Sequence, residues 1–267
     1  MSDLTRAGVI NLIAMAQHGL NLRGVNLADL NLNNLDFTRA NLDKANLDGA
    51  VLSGALMQGA KMIDAGLFAA DLTETDLCEA NLTKANLAEA SLAGADLTGA
   101  VLERANLEGA NLTGAILERA DLRGSNLTQA NLTRANLSGA YLFRADLTKV
   151  DLRGANFSGA ILKGAILHAA NLSNVDLSNA DLTNVDLRGA NLTGANLAGA
   201  NLTGAYLFRA DFSNADLSKA NFTASILRGA ILHNAILSGA NLTNADITNA
   251  DLTDADLIGA NMSDVVK

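Results

Sequence analysis

A leucine returns at every fifth residue of this chain. From Leu22 to Met262 the phase never slips: all 49 positions hold Leu, Phe, Met or Ile, and 41 of them hold Leu. A period of five matches neither an α-helix, at about 3.6 residues per turn, nor a single strand, at about 2. Each unit must therefore contain its own turn. Five residues are too few to bury an apolar side alone, so units have to stack on one another, and the chain reads as a solenoid.

The ladder takes up 241 of the 267 residues, so one solenoid is expected and not two globular domains. The expected divisions are a helix over 1–19, the repeat over 20–264 and a short tail over 265–267. A single cysteine, Cys78, excludes an intrachain disulfide framework and suits a reducing compartment. No apolar run approaches the roughly 18 residues of a membrane span, and the N-terminus lacks a basic region with a cleavage site. A cytoplasmic protein with no membrane contact is expected.

The net charge of −9 invites comparison with a nucleic-acid mimic, but the acids sit in the wrong places. Fifteen of the 28 are Asp at one fixed place in the unit, from Asp36, Asp71 and Asp76 on to Asp256, where a structural role is expected. At the two most exposed places, 16 Lys and Arg stand against 12 Asp and Glu. Direct nucleic-acid binding is not expected of that mixed surface.

Residues 1–19 stand outside the ladder. Ser2 suits an N-cap, Asp3 the positive end of a helix dipole and Gly19 a C′ position. Leu4, Val9, Leu12, Ile13 and Ala16 form the apolar face of the expected helix. Such a helix covers the floor of the first coil, which is otherwise bare. The place two before the central residue agrees: it holds Leu20, Val25, Leu30 and Leu35, and then almost always Ala. The far end reads Asn-Met-Ser-Asp-Val-Val-Lys with no comparable helix. Further chain or a partner is expected to cover it, for example a second copy in a tail-to-tail homodimer.

Each unit reads Ala, Asn or Asp, Leu, Ser or Thr, then Gly or another polar residue. Ala fills 39 of the 49 first places, and the second place holds 20 Asn and 15 Asp. Units such as Ala-Asn-Leu-Thr-Gly resemble the pentapeptide-repeat family, written A(D/N)LXX, over about nine-tenths of the chain. The long Leu-centred members, many of them cyanobacterial, are most similar in style. The resemblance implies an all-β solenoid with four units per coil, a right-handed quadrilateral β-helix of about 12 coils. Leu points inward, and Ala lies beside it where space is smallest. Asn and Asp tolerate tight turns and accept backbone N–H groups, and Gly at the fifth place eases the corner.

Eleven second places break the pattern with large apolar residues. Four units per coil put residues 20 apart one above another, so these can be placed. Tyr-Leu-Phe-Arg-Ala-Asp occurs at 141–146 and again at 206–211, and the segment 159–168 recurs at 224–233. Both offsets are 65 residues, three coils and one face. Tyr141, Phe143, Arg144 and Ile161 fall on one face; Ile166, Arg188, Tyr206, Phe208, Arg209, Ile226 and Arg228 fall on the next. Exposed aromatics interleaved with Arg are favoured interface chemistry, which makes these eleven residues the candidate partner site.

Catalysis finds no footing. His168 and His233 differ by a quarter turn and cannot share a metal, Cys78 has no His near its column, and no phosphate loop or CxxC occurs. No cofactor is expected. The chain reads as a rigid, non-enzymatic rod that docks an unidentified protein through its outward side chains. The alternative is a topoisomerase-binding DNA mimic, since the quinolone-resistance proteins of this family resemble the chain in fold. Those are richer in central Phe, interrupted by loops and strongly acidic outside. Here only Phe37, Phe157, Phe212 and Phe222 are central, and no loop interrupts the ladder.

Overall fold

The computed structural model describes residues 4–16 and 19–267. Parallel single-residue bridges join each second-place residue to its counterpart 20 positions on, from Asn21–Asn41 through to Asp246–Val266. One coil is thus 20 residues and four sides, and the bridges stack the sides into a rod. The register runs as far as Val266, whose amide donates to the Ala245 carbonyl at 2.9 Å.

A single unit shows why five residues suffice for a side. Leu82 points into the core, with its amide donating to the Val101 carbonyl of the next coil at 2.7 Å. The chain then turns, and the Ala85 amide returns to the Leu82 carbonyl at 2.9 Å. Lys84, third in that turn, has φ +58°. This is the type II geometry, which normally selects glycine. All 49 units place their fifth residue in this left-handed region; in more than half it is not glycine, and in none is it β-branched. The sequence expectation of a corner at the fifth place therefore holds in every unit.

The second place holds the turn together from outside. Every Asn and Asp there accepts, through Oδ1, the amide two residues on. The fixed-place aspartates are structural in this sense, as their spacing led us to expect. The core consists of the central residues and the first-place alanines, nearly all with no exposure. Thr75, Ser125 and Ser225 interrupt the alanine column, and each hydroxyl donates to a backbone carbonyl, so none is left unpaired. Phe212 and Phe222 meet edge to face across the core, 6.3 Å between ring centres.

The N-terminal helix departs from expectation in its ends and its face. α1 spans Arg6–Met15, with Thr5 as N-cap accepting from the Gly8 amide and Ala16 as C-cap. Ser2 and Asp3 lie outside the described residues. Thr5 takes the cap because its hydroxyl reaches the third helical amide. Gly19 has φ +100° but lies three residues beyond the C-cap, in the connection to the first coil. The buried stripe is Val9 with Leu4 and Ile13, packed on the core beside Leu20, Val25, Leu30 and Leu35. Leu12 and Ala16 are exposed instead. Leu12 lies too far around the helix from the Val9–Ile13 line, and Ala16 follows the last helical turn. Arg6 fixes the helix to the first coil by donating to the Asn31 carbonyl at 2.6 Å and to Asn33 Oδ1 at 3.0 Å.

Candidate interaction surface

The four faces are named here by their first second-place residue: Asn21, Asn26, Asn31 and Asp36 begin faces one to four. Tyr141 bridges to Ile161 on face one, flanked by Phe143 and Arg144. On face two the column runs Ile166, Asp186, Tyr206, Ile226, Asp246. The structure therefore brings the eleven candidates onto two adjacent faces, in two groups that meet around the corner at Ile161 and Ile166.

These side chains face out. Tyr141 is 45% exposed and Tyr206 48%, and Phe143, Phe208, Ile161 and Ile166 are also exposed, while Ile226 is half-buried. The duplicated segments share their conformation. The Arg144 guanidinium lies 5.0 Å above the Phe143 ring, and that of Arg209 5.1 Å above Phe208. Neither arginine meets a carboxylate among the described residues.

Face two is grooved where a small residue separates two large ones. Asp186 lies between Ile166 and Tyr206, and the dip has a volume of about 240 Å³. Arg188 spans it, donating from Nε to Asp186 Oδ1 at 2.8 Å and from Nη2 to Oδ2 at 2.6 Å. Burial raises the Asp186 carboxyl, but the Arg188 hydrogen bonds and charge outweigh it, and the net direction is down. A second hollow, of about 300 Å³, lies on face one between Glu103, Arg123 and Phe143.

Apolar second places carry a further consequence. They offer no acceptor two residues back, so among the described residues the amides of Phe143, Lys163, His168, Phe208 and Arg228 have no hydrogen-bond partner in the chain. The surface thus combines aromatic and aliphatic side chains with free backbone donors and free guanidinium groups. Such a surface complements acceptor groups carried on apolar side chains.

The outward charges of face two are polarised along the rod. On face two the fourth and fifth places hold Asp29, Asp48, Glu89 and Glu108 in the N-terminal half, with no Lys or Arg. At the same two places the C-terminal half holds Lys149, Arg188, Arg209 and Arg228 with no Asp or Glu; its second places add Asp146, Asp186 and Asp246, which leaves that half with one net positive charge against four negative in the other. The overall tally of 16 bases and 12 acids averages this polarity away. The signal lies in the sequence and needed only the 20-residue coil to read it. The lower half also holds Gly66, the single glycine at a second place, and the exposed Phe68.

Among the described residues no three His, Cys, Asp or Glu side chains gather as metal ligands, and no helix is long and apolar enough to cross a membrane.

Comparison with known proteins agrees with this geometry. Eight copies of the family described as Pentapeptide repeats match between residues 21 and 264, among them 21–59, 65–104, 140–179 and 225–264. HetL of the cyanobacterium Nostoc sp. strain PCC 7120, a pentapeptide repeat protein involved in heterocyst differentiation regulation, is 33% identical. The match covers 97% of this chain and 96% of HetL, with a TM-score of 0.59. A pentapeptide repeat protein of the Arabidopsis thaliana thylakoid lumen is 33% identical over 37% of this chain and 68% of its own, with a TM-score of 0.36. The plasmid-mediated fluoroquinolone resistance protein QnrB1 is 18% identical over 91% of both chains, with a TM-score of 0.35. No curated protein sequence matches the chain. The unbroken five-residue phase, the 20-residue bridges, the eight family repeats and the likeness to HetL have one reading: the chain belongs to the pentapeptide-repeat family, and its rod is that family's right-handed quadrilateral β-helix.

Proposed function

We propose that this protein is a non-catalytic rod that binds a partner protein through the outward side chains of faces one and two. The observation that carries this reading is the repeated Tyr-Leu-Phe-Arg group, twice exposed with its arginine stacked on its phenylalanine. HetL, similar along almost its whole length, is named for a regulatory involvement, which suits a binding role. Pull-down from the source cell tests it. Tyr141→Ala/Phe143→Ala/Arg144→Ala and Tyr206→Ala/Phe208→Ala/Arg209→Ala should each lose a partner that the wild type recovers. Equal recovery of every partner by all three proteins overturns the proposal.

The finer architecture belongs to the same reading. α1 caps the first coil, about 12 coils follow over 20–264, and 265–267 form the last short segment. The apolar floor of the last coil, Leu252, Leu257 and Met262, is half-buried, which supports a partner-binding role for that end as well. The single cysteine, Cys78, is free of any disulfide, which suits a reducing compartment and supports a cytoplasmic rod. Against the DNA-mimic alternative stands the basic C-terminal half of face two; gyrase supercoiling unaffected by micromolar rod is the expected result.

A further inference from the structure

We propose that face two is a homodimer interface on which a second copy of the chain lies antiparallel. The inference rests on the reading of the aromatic and arginine patch as an interaction surface, and it names the partner for the face-two half of that patch. Two rods laid face to face about a two-fold axis perpendicular to their length keep each column opposite the same column and invert its heights. The charge polarity of face two suits this operation, because the acidic half of each copy then meets the basic half of the other.

The fit extends to individual residues when the axis passes midway between the Asn126 and Asp146 levels. Phe68 lies three coils below Thr128, and Phe208 three coils above Thr148, so the two exposed rings face each other. Asp48 and Arg228, each one coil further out, form a matched pair, as do Glu108 and His168 nearer the axis. In the second-place column the same operation sets Tyr206 opposite Gly66. The most exposed aromatic side chain of the face thus meets the only second place without a side chain. Each relation occurs twice, as an isologous contact requires.

Charge and size both favour a second copy over an unrelated acidic protein, which would occupy the basic half and leave Gly66, Asp48 and Glu108 unmatched. Arg188 and Arg228 already hold Asp186 and Asp246 within their own rod. A guanidinium retains further donors for a second carboxylate, and Lys149 and Arg209 have no intrachain ion pair among the described residues. Other faces lack the pattern: on face one acids and bases are neighbours, as at Asp43–Lys44 and Glu103–Arg104. At a layer spacing of about 4.8 Å the face is roughly 50 Å long. A contact strip about 16 Å wide then supplies the ~800 Å² per partner of a standard interface.

Sedimentation velocity of the full chain at low salt, with cross-linking on a Cys78→Ser background, tests the proposal. Ala28→Cys and Thr248→Cys mark opposite ends of the fourth-place column, too far apart in one rod for a short bis-maleimide to join. The wild type should sediment as a dimer, and Tyr206→Ala/Phe208→Ala as a monomer. The two cysteine variants should cross-link when mixed and not when alone. Asp48→Arg and Arg228→Asp should each weaken the dimer at least about ten-fold, and combining them in one chain should recover part of that loss, the remainder reflecting the Phe68 amide and Asp246 contacts that the two side chains make within their own rod. A monomeric wild type, a dimer indifferent to Tyr206→Ala/Phe208→Ala, or a cross-link between two Ala28→Cys copies overturns the antiparallel dimer. The pull-down keeps the broader reading separate: a monomer whose other partners are still lost with the Tyr206, Phe208 and Arg209 variant defeats the dimer alone.

Discussion

Asp48 Oδ1 accepts the Phe68 amide from one coil away, at 2.9 Å. In an ordinary unit the acceptor would be the second-place residue of Phe68's own unit, but that residue is Gly66. Asp43 does the same for Ile63, whose unit has Lys61 at the second place. Asp48→Ala should therefore destabilise the rod by about 0.5–1.5 kcal/mol, toward the low end because water reaches the freed amide. A Cβ on Gly66 would come 2.8 Å from Asp48 Oδ1, so Gly66→Asn alone should also destabilise. Asp48→Ala/Gly66→Asn restores the usual turn and should be more stable than either single variant. Urea denaturation of all four proteins measures the coupling, and simple additivity refutes this account.

Much of this molecule is legible from its five-residue phase alone. Leu82, Ala85 and Asn81 each do what their place in the unit dictates, because every unit faces the same packing problem. The helix ends were harder, since Thr5 and Ser2 are chemically equivalent caps and only the docking of Arg6 and Val9 on the first coil decides between them. The surface was half legible. The duplicated Tyr141 and Tyr206 segments stand out as sequence, whereas the charge polarity of face two appears only after residues are sorted by face. That Asp48 substitutes for a missing side chain 18 residues later depends on coil stacking and has no signature within a single unit.

The fifth-place corner makes opposite predictions for adding and removing a Cβ. Gly189 has φ +65° and open space around it, so Gly189→Ala meets no clash and isolates the cost of a left-handed alanine, roughly 1 kcal/mol. Ala224 already occupies that region at φ +57°. Ala224→Gly should stabilise by a few tenths to about 1 kcal/mol, the relieved strain being partly offset by the greater freedom of glycine in the unfolded chain. Thermal denaturation of both variants reads the signs, and the same sign for both rejects the argument.

Acid should loosen the rod through its second-place aspartates. Hydrogen bonds from Thr38 hold the Asp36 carboxyl below its ordinary value of 3.8, and the Arg153 side chain does the same for Asp151. A carboxylate depressed in the folded state adds stability that is complete above its unfolded value and is lost as pH falls through its folded value. Stability should therefore be flat between about pH 7 and 5 and decline below about pH 4. Asp36→Asn keeps the Oδ1 acceptor for the Thr38 amide but removes the titration, so its acid decline should be shallower. Urea midpoints measured against pH would show this, and an identical profile for the variant would exclude the mechanism.

Cys78 should resist modification although it is only half-buried. Burial pushes its thiol up to about 12, and the neighbouring Asp76 and Asp96 carboxylates push in the same direction. The reactive species is the thiolate, and at mildly alkaline pH such a thiol supplies very little of it. Labelling by iodoacetamide should be at least about 100-fold slower in the folded rod than in urea, where the thiol returns toward its ordinary value near 8.5. Asp96→Asn removes one of the two charges that disfavour the thiolate and should speed labelling of the folded protein. Asp36→Asn, on the same face but two coils from Asp76 and three from Asp96, serves as the control and should leave the rate unchanged. Equal rates for folded and unfolded protein, or an Asp96→Asn rate no faster than the wild type, would show that exposure and not the carboxylates governs this thiol.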